Sequence, residues 1–299
     1  MSFKACITYL PHQAWIFAHK PVRFEMVKVP IDVPPHNHEF TELCFVIQGH
    51  CRHRTENSTQ MVTTGDVIIM PPGTVHAFEE PHDLRVVNIC YLADWMLWDI
   101  GLLWQHEGLV PLFFASELLR RPDLLRAYVF SLDEKEQRFC QHEIDDILAE
   151  YQEPKPSLFL VHSAFAKFLL RLARSWVRQN PNLNDFVFRP EVWDVIQEID
   201  LAIKRGEVFM VGQYAQRVAC SADVLYRVFR QATGLSVSAY YQQRRVQHAA
   251  HLLLLSKLSV TEISSQLGYA DTAHLTRCFV KAKGVSPRAF RMQTEKNLP

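Results

Sequence analysis

The chain has 299 residues, which is enough for two domains of ordinary size. A hydrophobic fraction of 48% and a charged fraction of 21% are typical of a globular protein that buries a sizeable core. The formal net charge is zero, but it is unevenly distributed. Residues 204–299 hold 14 Lys and Arg against 5 Asp and Glu, whereas residues 1–203 hold 18 basic and 27 acidic groups. A basic C-terminal third indicates a polyanion partner for that third.

Cysteine usage and hydropathy favour a cytoplasmic protein without a membrane span. The seven cysteines form neither a C-x-x-C pair nor a metal-ligand spacing, which is typical of reduced thiols. The N-terminus lacks the charged-then-apolar run of a signal peptide. The most apolar region, residues 86–104, is interrupted by Asn88, Asp94 and Asp99, so we do not expect it to cross a bilayer.

Residues 3–91 alternate short apolar runs with turn residues. The runs are rich in β-branched and aromatic side chains, and Pro and Gly residues separate them. Many short strands at this spacing predict a β-sandwich or barrel. The predicted strands are Arg23–Val29, Leu43–Ile47, Val67–Met70 and Leu84–Cys90.

One group of residues in this region has side chains that can bind a metal ion or a small molecule. The first motif begins at His36 and has the spacing H-x-H-x3-E-x6-G. The second motif ends at His76 and has the spacing G-x5-P-x-G-x2-H. Together they resemble the two motifs of the cupin barrel, except that Glu80 stands where the cupin pattern has Asn. The resemblance implies that His36, His38, Glu42 and His76 lie together, either as ligands of Fe, Mn, Ni or Zn or as the lining of a small-molecule pocket. We favour a pocket without a metal. The other histidines are interpreted as surface or turn residues: His12, His19, His50, His53 and His82.

Two helices are predicted in the middle of the chain, over Asp133–Tyr151 and from Ser157 to about Arg178. The second is strongly amphipathic, with an apolar face that includes Phe159 and Leu160. Either the β domain or a second subunit covers that face. Residues 179–190, rich in Asn and Pro, are interpreted as a linker.

The C-terminal domain is predicted to be helical. An opening helix covers Glu191–Arg205, and helix-turn-helix units cover about 210–231 and 260–283. Ser221 and Asp271 are good N-cap residues for the second helix of each unit, and Ser259 begins a capping box.

A sequence written twice lies within these units. The repeated pattern is L-x-R-x-F-x4-G-x-S-x3-(Y/F). It begins at Leu225 and occurs again fifty positions later, at Leu275. Six matches at one offset indicate a duplicated supersecondary unit. The helices 222–232 and 272–283 are predicted to enter major grooves of DNA, because the second helix of such a unit reads base edges with its N-terminal part.

Side chains that the helical period leaves exposed on these helices are the predicted DNA contacts. Arg227 and Arg277 occupy equivalent positions in the two copies. They are predicted either to contact DNA, at a phosphate or a base, or to form an internal ion pair. Arg244, Arg245, Lys283 and Arg288 are further candidate phosphate contacts. The full predicted DNA-binding set is Ala222, Asp223, Tyr226, Arg227, Arg230, Thr272, Ala273, Thr276, Arg277 and Lys281.

The stretch from Ile263 to Arg291, including Gly268-Tyr269-Ala270-Asp271 and Gly284-Val285-Ser286-Pro287, resembles the signature of AraC/XylS-family transcription regulators. The linker-helix pattern beginning at Arg245 matches too, and the narrower similarity is to the rhamnose-operon activators. The resemblance implies a homodimer that binds tandem half-sites on double-stranded DNA and activates transcription when an effector occupies the cupin-like pocket. It also implies a contact of Asp271, and secondarily of Glu262, with the polymerase sigma factor. Ala219 stands where many members have Gly, which predicts a less sharply made first turn.

These observations predict an α+β multidomain chain with an N-terminal cupin-like β-barrel, a helical connector and an all-α domain with two helix-turn-helix motifs. The predicted parts are a ligand-sensing domain (1–115), a connector and dimerisation region (116–178), a linker (179–190) and an AraC-type DNA-binding domain (191–299). We predict a non-enzymatic, ligand-responsive activator of transcription, with a sugar-catabolism operon as its target. The alternatives are a metal-dependent cupin enzyme fused to a DNA-binding tail and a chromosome-architectural protein.

Overall fold

The structure is a computed structural model that describes residues 6–16, 20–97, 103, 106–120, 126–181 and 190–295. The chain divides into two compact units. The first, here the sheet unit, comprises Met1–Ala93, His106–Ser116 and Pro122–Asn182. The second, here the helical unit, comprises Asp94–Gln105, Glu117–Arg121 and Leu183–Pro299. Most of the predicted linker, residues 182–189, lies outside the described residues.

Eight strands form one sheet in the sheet unit. Its hydrogen-bonded order is β1-β3-β7-β4-β6-β8, with β2 paired to β7 and β5 paired to β4. All pairings are antiparallel except that of β1 with β3. The strands are β1 (Ile7–Tyr9), β2 (Val22–Val29), β3 (Val33–His38), β4 (Thr41–Thr55), β5 (Thr59–Thr63), β6 (Asp66–Met70), β7 (His76–Tyr91) and β8 (Tyr128–Ser131).

The two long strands, β4 and β7, give the sheet its barrel-like shape. Each pairs with different neighbours along its length, and register shifts interrupt the β4–β7 ladder between Val46 and Arg52. Such irregularities bend a strand and increase its twist, which lets one sheet curl around a core. The enclosed core includes Cys44, Val46, Ile68 and Met70, all fully buried. The predicted cupin-like fold is confirmed, and each of the four predicted strands lies within an observed one.

In the described part of the sheet unit, four α-helices accompany the strands: α1 (Leu109–Phe113), α2 (Ala115–Leu118), α3 (Glu134–Glu150) and α4 (Leu158–Gln179). Asp133 and Glu136 form a reciprocal capping box at the start of α3, and Ser157 caps α4. Phe165 of α4 packs edge-on against Tyr91, with 5.0 Å between ring centroids, so the barrel covers most of the apolar face of α4. Phe159 and Leu160, at the N-terminal end of α4, are 77% and 52% exposed, so the sheet unit does not cover that end of the apolar face.

The helical unit contains seven helices in the range 190–295. The helix-turn-helix pairs are α6 with α7 and α9 with α10, and α8 connects them. The helices are α5 (Pro190–Lys204), α6 (Val211–Arg217), α7 (Ala222–Thr233), α8 (Val237–Leu255), α9 (Val260–Gln266), α10 (Thr272–Lys283) and α11 (Pro287–Glu295).

Helix α8 is the centre of the helical unit, and a buried ion pair fixes it to α5. Arg244 is fully buried, and its Nε lies 2.9 Å from Oδ1 of Asp200. Its remaining donors reach Gln247 at 2.8 Å and the backbone carbonyl of Leu97 at 2.9 Å. Burial alone would raise the pKa of Asp200, but Arg244 and His248 hold that pKa below its ordinary value.

Arg245 is also buried on α8. Its guanidinium stacks 3.6 Å from the centroid of the Tyr269 ring and donates to the carbonyl of Leu267 at 3.0 Å. It therefore holds the turn between α9 and α10 against α8. The prediction that Arg244 and Arg245 contact phosphates is wrong, because both guanidinium groups are used inside the helical unit.

We expect Arg244→Met to lower the free energy of unfolding by about 3–5 kcal/mol, because it leaves Asp200 buried without its cation. Adding Asp200→Leu should recover most of that loss, since the unpaired carboxylate is then absent. Urea unfolding followed by circular dichroism measures both. Arg230→Met, an exposed position on α7, is the matched control. A loss no larger than that of the control would contradict the assigned role.

Candidate functional site

The sheet unit contains a cavity of about 320 Å³, a size suited to a small molecule. Valines and phenylalanines form most of its apolar walls. They come from β2, β3, β7 and, at Phe40, the short connection between β3 and β4. Polar side chains are interspersed among them. The polar lining residues are Tyr9, Gln13, Arg23, Glu25, His36, His38, Glu42 and Asn88.

Five of these polar residues were not predicted from the sequence: Tyr9, Gln13, Arg23, Glu25 and Asn88. Arg23 and Glu25 form an ion pair of 2.9 Å on β2, and the Oδ1 of Asn88 has no hydrogen-bond partner among the described residues. The alternation of side chains along β2 is the sequence pattern from which the cavity-lining residues of this strand could have been predicted. Arg23, Glu25, Val27 and Val29 lie two apart on β2, and all four line the cavity.

The four cupin-motif residues do lie together, at the edge of this cavity. β3 carries His36 and His38, β4 carries Glu42 near its start, and β7 begins with His76. The pairing of β3 with β7 places His36 directly opposite His76, with 4.2 Å between ring centroids. The Nε2 of His38 lies 3.0 Å from Oε2 of Glu42, and the Nε2 of His76 lies 3.8 Å from the same oxygen.

His53 joins this cluster, so its predicted surface position is wrong. It lies on β4, it is completely buried, and its ring centroid is 5.6 Å from that of His76. Its neighbours in the strand ladder are Gln60 and Phe78. Burial lowers the pKa of His53 to about 4, against the opposing charge of Glu42. Burial and the other imidazoles hold the pKa of His76 well below its ordinary value. Both rings are neutral at pH 7.

The remaining histidines behave differently. His50 and His82 are exposed and stack on each other at 4.9 Å, as a surface assignment predicts. His19 and the side chain of His12 lie outside the described residues. Glu80, at the position where cupins have Asn, is exposed and pairs with Arg52, away from the histidine cluster.

Ring nitrogens in the cluster are left without partners. Neither nitrogen of His53 or His76 has a hydrogen-bond partner among the described residues, nor has the Nε2 of His38. Each such buried group costs about 1–3 kcal/mol relative to a satisfied one. Donor atoms of His36, Glu42 and His76 all lie within 4.8 Å of one another. Three imidazoles and a carboxylate are the donor set of a first-row divalent metal, so these residues fit the ion that the cupin resemblance implies.

The helical unit offers the second candidate site, because both helix-turn-helix units are formed. Helix α9 starts 49 positions after α6, whereas α10 starts 50 positions after α7. The additional residue is in the second turn, which runs through Tyr269 and Ala270 to the cap at Asp271. The two copies therefore differ in the length of their turns as well as in sequence.

The first turn is as sharp as the second, contrary to the prediction from Ala219. Ala219 adopts φ +51° and Gly268 adopts φ +67°, both in the left-handed region. The following amides make equivalent bonds, from Cys220 to the carbonyl of Ala215 and from Tyr269 to that of Ser264, each 2.9 Å long. A Cβ on Gly268 would lie 2.7 Å from the carbonyl oxygen of Gly206, so only the second turn also needs glycine for space.

The exposed and buried faces of α7 and α10 follow the predicted pattern. Leu225, Phe229, Leu275 and Phe279 are buried, as the repeat indicates. Among the predicted DNA contacts, three are partly buried and the others are exposed. The partly buried ones are Ala222, Thr272 and Thr276.

Three contacts refine this surface. Thr276 donates its hydroxyl to the carbonyl of Thr272 at 2.8 Å, which leaves its methyl group and its acceptor lone pairs for a ligand. Asp271 caps α10 by accepting from the amide of His274 at 2.6 Å, whereas Ser221 makes no side-chain cap bond. Arg227 and Arg277 are exposed without an ion-pair partner in the described part of the chain, which disfavours the internal ion pair.

No helix in the described ranges is long and apolar enough to cross a membrane. All seven cysteines are free thiols.

Two family models match the chain. Residues 31–150 match an AraC-like ligand binding domain, and residues 214–293 match a helix-turn-helix domain. The HTH-type transcriptional activator RhaR of Escherichia coli is 24% identical over 267 residues, covering 88% of this chain and 89% of the relative.

Solved structures match as well. The C-terminal domain of AraT from Geobacillus stearothermophilus is 28% identical over 36% of this chain and 87% of that one, with a TM-score of 0.34. ToxT from Vibrio cholerae O395 is 10% identical over 92% of this chain and 100% of that one, with a TM-score of 0.44.

A cavity-bearing sheet domain followed by two helix-turn-helix units defines a ligand-responsive, DNA-binding transcription regulator. The order of the two matched domains and the similarity to RhaR over 88% of the chain support an AraC-family regulator. It is a regulator and not an enzyme, which decides against the alternative of a cupin enzyme fused to a DNA-binding tail.

Proposed function

We propose that the protein activates transcription from the cytoplasm in response to a small polar effector, and that its target is a sugar-catabolism operon. The cavity carries this proposal. Its volume of about 320 Å³ accepts a molecule of monosaccharide size, and its walls alternate apolar and hydrogen-bonding side chains. Arg23, Glu25 and Asn88 offer donors and acceptors to hydroxyl groups. The RhaR relatives are named as activators, which supports the same direction of control.

We also propose that the two recognition helices read different bases. The copies share their buried frame but not their exposed surface. Helix α7 presents Asp223 and Tyr226 at its N-terminal part, whereas α10 presents Thr272 and Thr276. A carboxylate accepts from the amino group of cytosine, and the methyl group of threonine contacts that of thymine. One chain therefore carries two dissimilar base-reading surfaces.

Phosphate contacts are proposed for the recurrent arginines. Arg227 and Arg277 are exposed at equivalent positions of the two units, and Arg230 and Lys281 lie farther along the same helices. A contact shared by both copies cannot discriminate their sites, which favours a phosphate over a base. Neutralising phosphates releases counterions, so this set should dominate the salt dependence of binding.

We expect Arg277→Ala to weaken binding to a selected DNA site about tenfold, since it removes one charge-assisted hydrogen bond. Its loss should lower the slope of log affinity against log salt by about one. Gel-shift titrations at several salt concentrations measure both quantities. Arg138→Ala, an exposed arginine of the sheet unit, is the matched control. Unchanged affinity for Arg277→Ala at fixed salt would show that this arginine does not contact DNA.

A polymerase contact is proposed for Asp271, with Glu262 as the second candidate. Both carboxylates are exposed, and both cap helices of the second unit, because Glu262 accepts from the amide of Ser259 at 2.7 Å. Hydrogen bonds from Ser259 hold the pKa of Glu262 below its ordinary value, so this carboxylate keeps its negative charge at neutral pH. The negative charge is the part of each residue that a basic sigma surface recognises.

Asp271→Asn separates the charge from the cap, because Asn is as good an N-cap as Asp. We expect this variant to bind DNA within about twofold of wild type while transcription from the target promoter falls severalfold. Gel shift and in vitro transcription measure the two effects. Asp271→Ala additionally loses the cap, at about 1 kcal/mol of stability. Wild-type transcription by Asp271→Asn would leave Asp271 as a capping residue only.

A homodimer is also proposed. Phe159 and Leu160 are exposed apolar side chains at the N-terminal end of α4, and a second copy of this chain can cover them. Sedimentation equilibrium distinguishes monomer from dimer, and Phe159→Glu tests whether these side chains form the interface.

A further inference from the structure

We propose that residues 117–120 form a clamp on the first recognition helix, α7, and that the effector acts on DNA binding through this clamp, hence through α7 rather than α10. The inference deepens the proposed function and rests on it, because it names the helix through which the effector changes DNA binding. It is carried by hydrogen bonds within the helical unit and by a difference between the two copies of the repeat.

One end of the clamp binds the C-terminal end of α7. The amide of Arg120 donates to the carbonyl oxygen of Thr233 at 2.9 Å. Thr233 is the last residue of α7, and the final carbonyl groups of a helix have no partner within the helix itself. Arg120 therefore satisfies one of them. Leu118 and Leu119, in the middle of the clamp, are at most 1% exposed, so the clamp is packed as well as hydrogen-bonded.

The other end of the clamp is held by α8. The side-chain amides of Gln243 and Gln247 both donate to the carbonyl oxygen of Glu117, the second of them at 2.7 Å. A carbonyl oxygen has two lone pairs and can accept both bonds. The clamp thus joins α8 to the end of α7, in addition to the direct packing of these helices.

The second helix-turn-helix unit differs at the equivalent corner. Gly234 and Gly284 end α7 and α10 with the same φ of +73°, and their amides bond to Arg230 and Val280 at 2.8 and 2.9 Å. A Cβ on Gly234 would overlap the backbone carbonyl of Arg120, whereas a Cβ on Gly284 would meet no described atom within 4 Å. The clamp therefore lies against α7, and the corresponding end of α10 is open.

The clamp is continuous with the wall of the effector cavity. The boundary between the two units falls after Ser116, within α2. Just before α2, the carbonyl of Phe113 accepts from the hydroxyl of Tyr91 at 3.4 Å, and both side chains are buried. Tyr91 follows Cys90, which lines the cavity. Phe113 and Glu117 are four positions apart, so a short, partly helical stretch joins a bond next to the cavity wall to a bond on α8.

This connection gives the effector a route to one recognition helix. A shift of α2 moves the clamp and, with it, the C-terminal end of α7. Because a helix of this length moves as a rigid body, the displacement reaches Asp223 and Tyr226 at the base-reading end. Occupancy of the cavity then biases α7 between two positions, while α10 keeps its contacts with DNA.

The clamp itself is tested in the full-length protein with Gly234→Ala and its matched control, Gly284→Ala. Both substitutions carry the same conformational cost at φ +73°, but only Gly234→Ala displaces the clamp. Hydrogen exchange followed by mass spectrometry should show residues 117–120 exchanging at least about tenfold faster in Gly234→Ala and at the wild-type rate in Gly284→Ala. Equal exchange rates in the two variants would overturn the clamp.

Gel shifts on a selected DNA site test which helix the clamp serves. The measured quantity is discrimination, the ratio of affinities for the intact site and for a site with one motif scrambled, and Asp223→Ala identifies the motif that α7 reads. Gly234→Ala should lower discrimination at that motif about threefold to tenfold and leave it unchanged at the other. Equal losses at both motifs would contradict a clamp specific to α7. Circular dichroism checks folding, and if Gly234→Ala does not fold, Gln243→Leu, which removes one bond to the clamp, should give the same loss to a smaller extent.

Coupling is reciprocal, so DNA bound by α7 should act back on the sheet unit. Binding of the intact site should slow hydrogen exchange in residues 109–120 of the wild type severalfold, whereas a site with the α7 motif scrambled should not. Gly234→Ala should lose this difference. Exchange that ignores the α7 motif in the wild type would overturn the coupling and leave the proposed function intact. A selection that yields no sequence-specific site would instead remove the proposed function, and this inference with it.

Discussion

The buried pair between Arg244 and Asp200 is the constraint on which the helical unit depends. An arginine with no exposed surface is stable only if its donors are satisfied, and here a carboxylate, an amide side chain and a backbone carbonyl satisfy them. The pair fixes α8 to α5. Both helix-turn-helix units pack on α8, so the spacing of the two recognition helices follows from how firmly α8 is held.

On that shared frame the copies have diverged. Arg245 anchors the second turn to α8 through Tyr269. The second turn is also one residue longer than the first, and Asp271 makes a cap bond there. Its Gly268 cannot be replaced by a larger residue, because a Cβ would lie too close to the backbone of Gly206. The first turn reaches the same left-handed conformation with Ala219, at a conformational cost that glycine would not have. Divergence at the turns and on the exposed faces, with a constant buried face, is the pattern expected when two units read different DNA.

The sequence predicted what depends on local chemistry. The predicted caps at Ser259 and Asp271, the strand runs and the duplicated frame appear as the patterns indicate, because propensity and periodicity act over a few residues. The predicted cap at Ser221 is wrong, because its side chain makes no cap hydrogen bond. The cupin motifs also brought His36 and His76 together correctly, since strand pairing places them opposite each other.

What the sequence did not predict depends on contacts between distant segments. Arginines on a basic helix look like phosphate ligands, and only the fold shows that Asp200 and Tyr269 occupy Arg244 and Arg245. His53 lies eleven residues beyond Glu42 in an ordinary strand, so no spacing marks it as part of the cluster. β8 joins the sheet from a region otherwise predicted as helical, through its ladder with β6.

The central claim is that one chain reads DNA with two unequal recognition helices held at a fixed spacing. The most direct measurement is selection of DNA sites from a randomised duplex pool by the purified protein at fixed salt, followed by sequencing and footprinting. The account predicts two different short motifs per protomer, about 10–10.5 base pairs apart on one face of the duplex. Two copies of one motif, or motifs with no fixed spacing, would contradict it.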